Sequence, residues 1–458
     1  MGKPLIISIS GLRGIIGDTL DPYVAVEYGA AFGTFLKGQK NGRGRAMVCI
    51  GRDSRPSGPM IMSALVAGLT GVGVDVVDLG IVTTPSVGIM VRHLGADGGV
   101  VITASHNPVA YNGVKLLTDT GVAPAPDLAG EIRKAYFDKA FDWHHSLDCG
   151  ISTVNDQTDE VHIGRVLTTV APDAIRKKKF LVALDSVNGA GGRPGIKLLE
   201  QLGCTVTGLN IEPTGIFAHE PEPIPENLDQ ICRAVKETGA HIGMVQDPDA
   251  DRLALVDEQG RCIGEECTLA LAAQYVLQVQ GGDTATNLST SRMIDDIAAR
   301  NGCQVFRTPV GEANVAAAMI ANNCLIGGEG NGGVIDLRVG PIRDSLVAMA
   351  LVLQLMAETG QPVSALADQI NPYTMHKEKF TAEPDQALAI LDLAQSAYPE
   401  ARIDTRDGLR FDFDDAWIHL RSSNTEPVMR MIIEARDQER IDHYAHKIRE
   451  IQKAVLVS

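Results

Sequence analysis

Three stretches of this chain share one grammar: an apolar strand-like run, a loop of Gly, Ser and Asp, a helical run, then a glycine and a second strand. "AMVCIGRDSRPSG" leads through a helical run to "GLTGVGVDVVDLG". "FLVALDSVNGAGG" leads through "IKLLEQLGCTVTGL", and "TATNLSTS" through "MIDDIAARNGCQVFRTPVG". Gly73, Gly203 and Gly302 each stand between a helical period and a valine-bearing strand, where a helix C-terminus favours glycine. Strand–helix–strand units of this kind predict α/β layers with mostly parallel pairing. The alternative is chance likeness between generic units of one type.

At 458 residues the chain is too long for one core, and about three or four domains are expected. Breaks in the pattern fall near residues 153, 258 and 372, giving ranges 1–153, 154–258, 259–371 and 372–458. The first three are expected to be similar α/β domains with mixed sheets. The last opens with a helical stretch and continues in strand-like runs ("LRFDFDD", "AWIHLRSS", "VMRMIIEA") and a final helix, so it is expected to be an α+β domain of another kind. The proline-rich "NIEPTGIFAHEPEPIPENL" is too long for an idle connection and is expected to be functional or to pack across a domain.

Hydrophobic residues make up 45% and charged residues 21%, ordinary for a globular protein. The net charge of −16 argues against nucleic acid and anionic membranes as partners. It also requires cations or a metal to be gathered locally if the ligand is anionic. The eight cysteines are scattered without CxxC pairs, so neither a zinc site nor a disulfide framework is indicated. The N-terminus lacks the apolar length of a signal peptide and no later segment reads as membrane-spanning. A reduced cytoplasmic setting is the expectation.

Four stretches carry candidate chemistry. In "VITASHNPVAYNGVK" an apolar run ends on Thr103, Ser105, His106 and Asn107, with Lys115 ten positions beyond the serine. A serine at the C-terminal edge of a strand lies where α/β sheets place ligands. It serves as an activated nucleophile or carries a transferable group; the plainer alternative is a turn whose side chains cap backbone. No G-x-S-x-G elbow surrounds it. Lys115 would neutralise phosphate or, with its pKa lowered by cationic neighbours, act as a base. In "HIGMVQDPDADR" a buried strand runs into Asp247, Asp249 and Asp251, then Arg252. Carboxylates at i, i+2 and i+4 of a rigid loop offer the hard oxygens that Mg²⁺ or Ca²⁺ requires, against the alternative of a solvated acidic turn. "LIGGEGNGGVIDL" is glycine-rich and carries Glu329 and Asn331, a carboxylate and an amide suited to sugar hydroxyls. It lacks the G-K-[ST] element of a P-loop. In "RSSNTEPVMR" Arg421, Ser423, Asn424 and Thr425, with Arg430 beyond, supply the donors that a dianionic phosphate takes; a Ser- and Asn-rich turn is the alternative.

With these stretches in this order, the chain resembles the α-D-phosphohexomutase family. The matching motifs are "TASHNP" (103–108), "DPDADR" (247–252), "GEGNGG" (328–333) and "RSSNTEP" (421–427), supported by "SGLRG" (10–14) and "YNGVK" (111–115). The resemblance implies four domains around a central active-site cleft and a phosphoserine at Ser105 whose phosphate ligates Mg²⁺ together with Asp247, Asp249 and Asp251. It implies catalytic roles for Ser105, His106, Lys115 and Arg13, and substrate binding by Arg252, Glu329, Asn331, Arg421, Ser423, Asn424, Thr425 and Arg430. The implied reaction interconverts hexose 6-phosphate and hexose 1-phosphate through a hexose 1,6-bisphosphate that turns end for end. The partner is then a small sugar phosphate, and the chain a monomer or homodimer. Many phosphomannomutases and phosphoglucomutases end the sugar loop in histidine where this chain has Gly333. The "GEGNGG" form is more similar to some phosphoglucosamine mutases, and Glu329 is expected to meet a 2-amino group. A metal-dependent serine phosphatase and a non-catalytic sugar-phosphate sensor are the competing classes. The first has no use for a distal phosphate clamp, and the second none for serine and three aspartates together.

Overall fold

The glycine that ends the helix of each repeat adopts a left-handed backbone, with φ of 83° at Gly73, 77° at Gly203 and 68° at Gly302, a conformation that costs a Cβ-bearing residue more. The computed structural model describes residues 5–8, 11–40, 44–422 and 428–457.

The first unit comprises β1 (Ile6–Ser8), β2 (Gly11–Ile15), α1 (Pro22–Lys40), β3 (Met47–Arg52), α2 (Gly58–Gly71), β4 (Asp75–Ile81), α3 (Thr84–Leu94), β5 (Gly98–Ile102), β6 (Tyr111–Thr118), α4 (Pro126–Phe137) and β7 (Ser152–Val154). Its sheet runs β1-β2-β6-β5-β3-β4-β7, so the first sheet extends through Val154. The second unit comprises α5 (Thr158–Leu167), α6 (Pro172–Lys178), β8 (Leu181–Asp185), α7 (Gly192–Gln201), β9 (Thr205–Leu209), α8 (Asp229–Thr238), β10 (Ile242–Gln246) and β11 (Leu253–Asp257). The third comprises α9 (Glu265–Gln280), β12 (Thr284–Asn287), α10 (Met293–Arg300), β13 (Val305–Thr308), α11 (Glu312–Ala321), β14 (Ile326–Glu329), β15 (Gly333–Asp336), α12 (Ser345–Thr359) and α13 (Val363–Ile370).

The repetition goes beyond generic units. The orders β6-β5-β3-β4, β11-β10-β8-β9 and β15-β14-β12-β13 are the same arrangement three times. In each, two parallel crossovers are followed by a strand returning antiparallel along the edge of the second-formed neighbour. The serine, aspartate and sugar loops are thus one connection, between β5 and β6, β10 and β11, and β14 and β15. They emerge at the carboxyl ends of parallel strands, where such sheets place ligands.

The second and third units share a continuous core. Leu184, Leu198 and Met244 of one join Leu269, Ile326 and Leu351 of the other. At its centre α12 is apolar all round and buried from Ser345 to Ala357, which is how an interior helix reads. No single helix among the described residues is long and apolar enough to cross a membrane. All eight cysteines are free.

The fourth unit differs, as the sequence predicts. β16 (Thr374–Thr381), α14 (Pro384–Ala397), β17 (Arg402–Asp404), β18 (Leu409–Asp412), β19 (Ala416–Ser422), β20 (Val428–Ala435) and α15 (Gln438–Val457) form an antiparallel sheet, β16-β20-β19-β18-β17, with both helices packed on a core of Ile390, Phe411, Ile418, Met431 and Ile448. Polar contacts tie it to the third unit: Ser289 Oγ to His419 Nδ1 at 2.8 Å, Tyr373 Oη to Asp296 at 2.6 Å, and Arg292 Nη2 to the Phe413 carbonyl at 2.8 Å. The proline-rich loop packs across a unit boundary. Gly215 lies so near the first unit that a Cβ would be 2.2 Å from the Ser54 carbonyl, and Phe217 lies 5.0 Å from the Arg55 guanidinium.

Candidate active site

The buried strand β5 delivers Thr103 and Ser105 to its carboxyl end. Thr103 Oγ1 donates to Asp53 Oδ2 at 2.7 Å and accepts from the Ser105 N–H at 2.9 Å. Ser105 is 4% exposed and sits at φ 50°, left-handed and uncommon for a residue with a Cβ; such strain persists only where the surroundings enforce it. The enforcing residue is Arg55, which the motif reading missed. Fully buried, it donates to Asp53 Oδ2 (3.0 Å) and to the carbonyls of Ser105 (2.6 Å), Asn107 (2.6 Å), Pro108 (2.8 Å) and Tyr111 (2.9 Å). Its signal was the second arginine in "GRDSRPSG", in the loop after the parallel neighbour strand β3.

Ser105 Oγ donates to Asp247 Oδ2 at 3.2 Å, and His106 Nδ1 stands 3.3 Å from Ser105 Oγ. This contact brings the first two predicted loops together. Burial, reinforced by Arg252 and Arg13, holds the His106 imidazole down at about 3, so it is neutral.

Asp247, Asp249 and Asp251 are fully buried, and each offers one oxygen within 4.8 Å of the others. Asp247 Oδ1 accepts from the N–H groups of Asp251 (3.1 Å) and Arg252 (3.2 Å). Asp249 Oδ2 accepts from Lys115 Nζ at 2.8 Å and Thr84 Oγ1 at 2.6 Å; Asp251 Oδ2 accepts from Arg343 Nη2 at 2.6 Å. Asp249 Oδ1 and Asp251 Oδ1 are buried with no hydrogen-bond partner. Burial and the two neighbouring carboxylates push Asp247 well up. Three dry carboxylates with two orphaned oxygens fit a hard divalent cation and rule out the solvated acidic turn.

Lys115 is drawn into the aspartate triad, which bears on the two roles the sequence leaves open to it. A base needs a lowered pKa, but the side chain meets Asp249 at 2.8 Å and Asp251 at 3.5 Å. Burial pulls its pKa down and these carboxylates outweigh it, so the net shift is upward and the group is a cation. Arg13 is held on β2, opposite Gly113 of β6. Its pKa is lowered by burial against the pull of Asp249, and Arg252 Nε lies 3.8 Å from Asp251 Oδ1. Gly11 makes this strand pairing possible: at φ 109°, a Cβ there would lie 2.1 Å from the Val114 carbonyl.

The sugar loop brings a correction. Glu329 has no oxygen to spare for a 2-amino group. Oε1 accepts from Asn287 Nδ2 (2.8 Å) and the Gly311 N–H (3.0 Å), and Oε2 from Arg343 Nη1 (2.7 Å) and Asn331 Nδ2 (3.5 Å). The absence of a side chain at Gly333 is explained too, because a Cβ there would lie 2.2 Å from Arg343 Cδ. Arg343, from "GPIRDS", was also missed by the motif reading.

In the fourth unit Ser423, Asn424 and Thr425 lie outside the described residues. Arg421 and Arg430 are directly opposed on β19 and β20, and Lys379 of β16 is opposite Arg430. Directly paired residues of an antiparallel sheet share a face, and like charges so placed repel. Arg421 is paired with Asp407, Nε to Oδ2 at 3.3 Å. A row of three cations flanking the Ser/Asn loop suits an anion.

Comparison with known proteins gives the same order of parts. The four domain descriptions of phosphoglucomutase/phosphomannomutase match in sequence: domain I at residues 6–143, domain II at 160–260, domain III at 265–373 and the C-terminal domain at 376–451. A "Phosphoglucomutase/phosphomannomutase" of Thermococcus kodakarensis is 40% identical, over 97% of both chains. A "Probable phosphoglucosamine mutase" of Methanopyrus kandleri is 37% identical, over 96% of this chain and 95% of the relative. The crystal structure of a phosphoglucomutase/phosphomannomutase family protein from Burkholderia thailandensis superposes with a TM-score of 0.85 at 29% identity, covering 98% of each chain. With the fold, the motif order and full-length relatives in agreement, the chain belongs to the phosphoglucomutase/phosphomannomutase family, within the α-D-phosphohexomutase superfamily.

Proposed function

We propose that this chain interconverts hexose 6-phosphates and hexose 1-phosphates, with Ser105 carrying the phosphoryl group and a hexose 1,6-bisphosphate as the intermediate. The observation that carries this reading is the strained Ser105, held by Arg55 with Oγ on Asp247 beside two orphaned carboxylate oxygens. In the forward transfer the bond from phosphorus to Ser105 Oγ breaks as one to the sugar hydroxyl oxygen forms. The hydroxyl proton ends on Ser105 Oγ, which then donates to Asp247 Oδ2. The second transfer reverses these bonds at the other end of the sugar. Asp247, Asp249 and Asp251 would hold Mg²⁺, which when bound neutralises charge on the transferring phosphoryl oxygens. Arg13, Lys115 and Arg252 bring positive charge to the same place. Arg421, Arg430 and the Ser423–Thr425 loop take the non-reacting phosphate, with Lys379 extending the row. Asn331, in the same loop as Glu329, is the amide we assign to the sugar hydroxyls.

Because both Glu329 oxygens are engaged, the physical argument for an amino sugar loses its footing. Glucose and mannose phosphates stand level with glucosamine phosphate as substrates. A coupled assay on the 6-phosphates of glucosamine, glucose and mannose is expected to yield the 1-phosphate from at least one, dependent on Mg²⁺ and stimulated by bisphosphate. Release of inorganic phosphate without any isomer would establish the phosphatase class instead.

Reversal of the bisphosphate requires one set of groups to hold the distal phosphate in both orientations. Arg421, planar and always charged, grips oxygens regardless of the carbon that bears them. Arg421→Ala is expected to cost about 1.5–3 kcal/mol, roughly tenfold to a hundredfold in rate, by similar factors from the 1-phosphate and the 6-phosphate. Added bisphosphate should restore part of the turnover. Kinetics in which one isomer is unaffected would contradict a shared clamp.

A further inference from the structure

Arg343 holds three carboxylates from three segments: Glu312 at the start of α11 through Nε (2.7 Å), Glu329 at the end of β14 through Nη1 (2.7 Å), and Asp251 of the second unit through Nη2 (2.6 Å). Its methylenes occupy the space above Gly333, where a Cβ would lie 2.2 Å from Cδ and 2.9 Å from Cγ. The consequence for Asp251 is specific: Oδ2 is taken by the guanidinium, while Oδ1 is buried without a hydrogen-bond partner. A carboxylate that has given one oxygen and part of its charge to a guanidinium is a one-toothed and weaker donor to a cation than a free one. The larger Ca²⁺ accepts two-toothed carboxylates readily, whereas Mg²⁺ demands single oxygens in octahedral positions.

We propose that Arg343 is a positioning residue that sets the cation affinity and selectivity of the aspartate triad: it leaves Asp251 Oδ1 free and ties Oδ2 to the sugar loop through Glu329, with Gly333 kept bare to admit the arginine side chain. The arrangement gives up binding strength for geometry. Removing the guanidinium adds one net negative charge to the pocket and leaves Asp251 Oδ2 only its longer contact with Lys115 at 3.5 Å, so divalent cations bind more tightly, Ca²⁺ gaining most. The same removal uncouples the metal loop from the sugar loop, so turnover falls. Tighter cation binding with slower turnover is a combination that general loss of structure does not produce. Only the turnover half rests on the mutase reading.

The test is calorimetric titration of Mn²⁺ and Ca²⁺ into the dephosphorylated full-length chain, alongside mutase kinetics. Arg343→Met is expected to bind Mn²⁺ roughly tenfold more tightly, Ca²⁺ by a larger factor, with kcat down at least about tenfold. Gly333→Ala removes no charge but displaces the Arg343 methylenes, and should shift both cations in the same direction by less. It also decides the matter if Arg343→Met fails to fold. Folded variants that bind both cations no more tightly than the parent would overturn the proposal. A parent chain without mutase activity on any hexose phosphate would overturn the mutase reading instead, and the titration would still decide the role of Arg343.

Discussion

Ser105→Ala is expected to lower mutase activity by at least about a thousandfold, because the bond-forming oxygen itself is lost. The fold should survive. Alanine removes one 3.2 Å hydrogen bond to Asp247 and keeps the strained left-handed backbone, whose cost is on the order of 1 kcal/mol. Ser105→Gly separates chemistry from strain: at φ 50° glycine relaxes the backbone, so this variant should be at least as stable as the alanine variant and equally inactive. Peptide mass spectrometry of the active parent should place phosphate on Ser105. Full activity with phosphate only on another residue would remove Ser105 from the mechanism.

Arg55→Met is expected to damage stability as well as activity. The guanidinium is fully buried and satisfies Asp53 together with four backbone carbonyls between Ser105 and Tyr111. Burial already pushes Asp53 upward against the pull of Arg55, so removing the arginine strands a dry carboxylate. Breaking such a pair from one side costs about 3–5 kcal/mol, and the released carbonyls add to it. Thermal unfolding should fall by several degrees, and hydrogen exchange at residues 103–111 should accelerate. Unchanged exchange there would mean that Arg55 does not hold the serine loop.

The parts legible in the sequence are those written locally. The helix-ending glycines, the alternation of strand and helix, and the Ser, Asp and Gly loops each lie within a dozen residues, where spacing and turn chemistry speak directly. The different character of the fourth unit was legible in its run of strands. Arg55 and Arg343 were not, because an isolated arginine reads as surface charge until its distant partners in the working loops, Ser105 and Asp251, are brought beside it. The charge state of Lys115 was hidden for the same reason. Its spacing from Ser105 was visible, but the two carboxylates that keep it charged belong to another unit. Glu329 likewise gave no hint that its oxygens were already engaged. The merging of the second and third cores through α12 also escaped, since apolar periodicity shows that a helix is buried without showing what buries it.

The threefold sheet arrangement has a consequence for how such a molecule tolerates change. Each working loop joins a central strand to its antiparallel neighbour, a connection that sets no register between the parallel strands. Its residues are therefore free to specialise: one copy displays a serine, the next three aspartates, the third a glutamate among glycines, on scaffolds that stay alike. Labour is divided among equivalent positions, as in an assembly of similar subunits strung on one thread. A substitution within a loop is felt by the chemistry first, and one within a strand by the architecture first. Arg55 and Arg343, which reach from neighbouring segments into the loops, are where the two kinds of sensitivity meet.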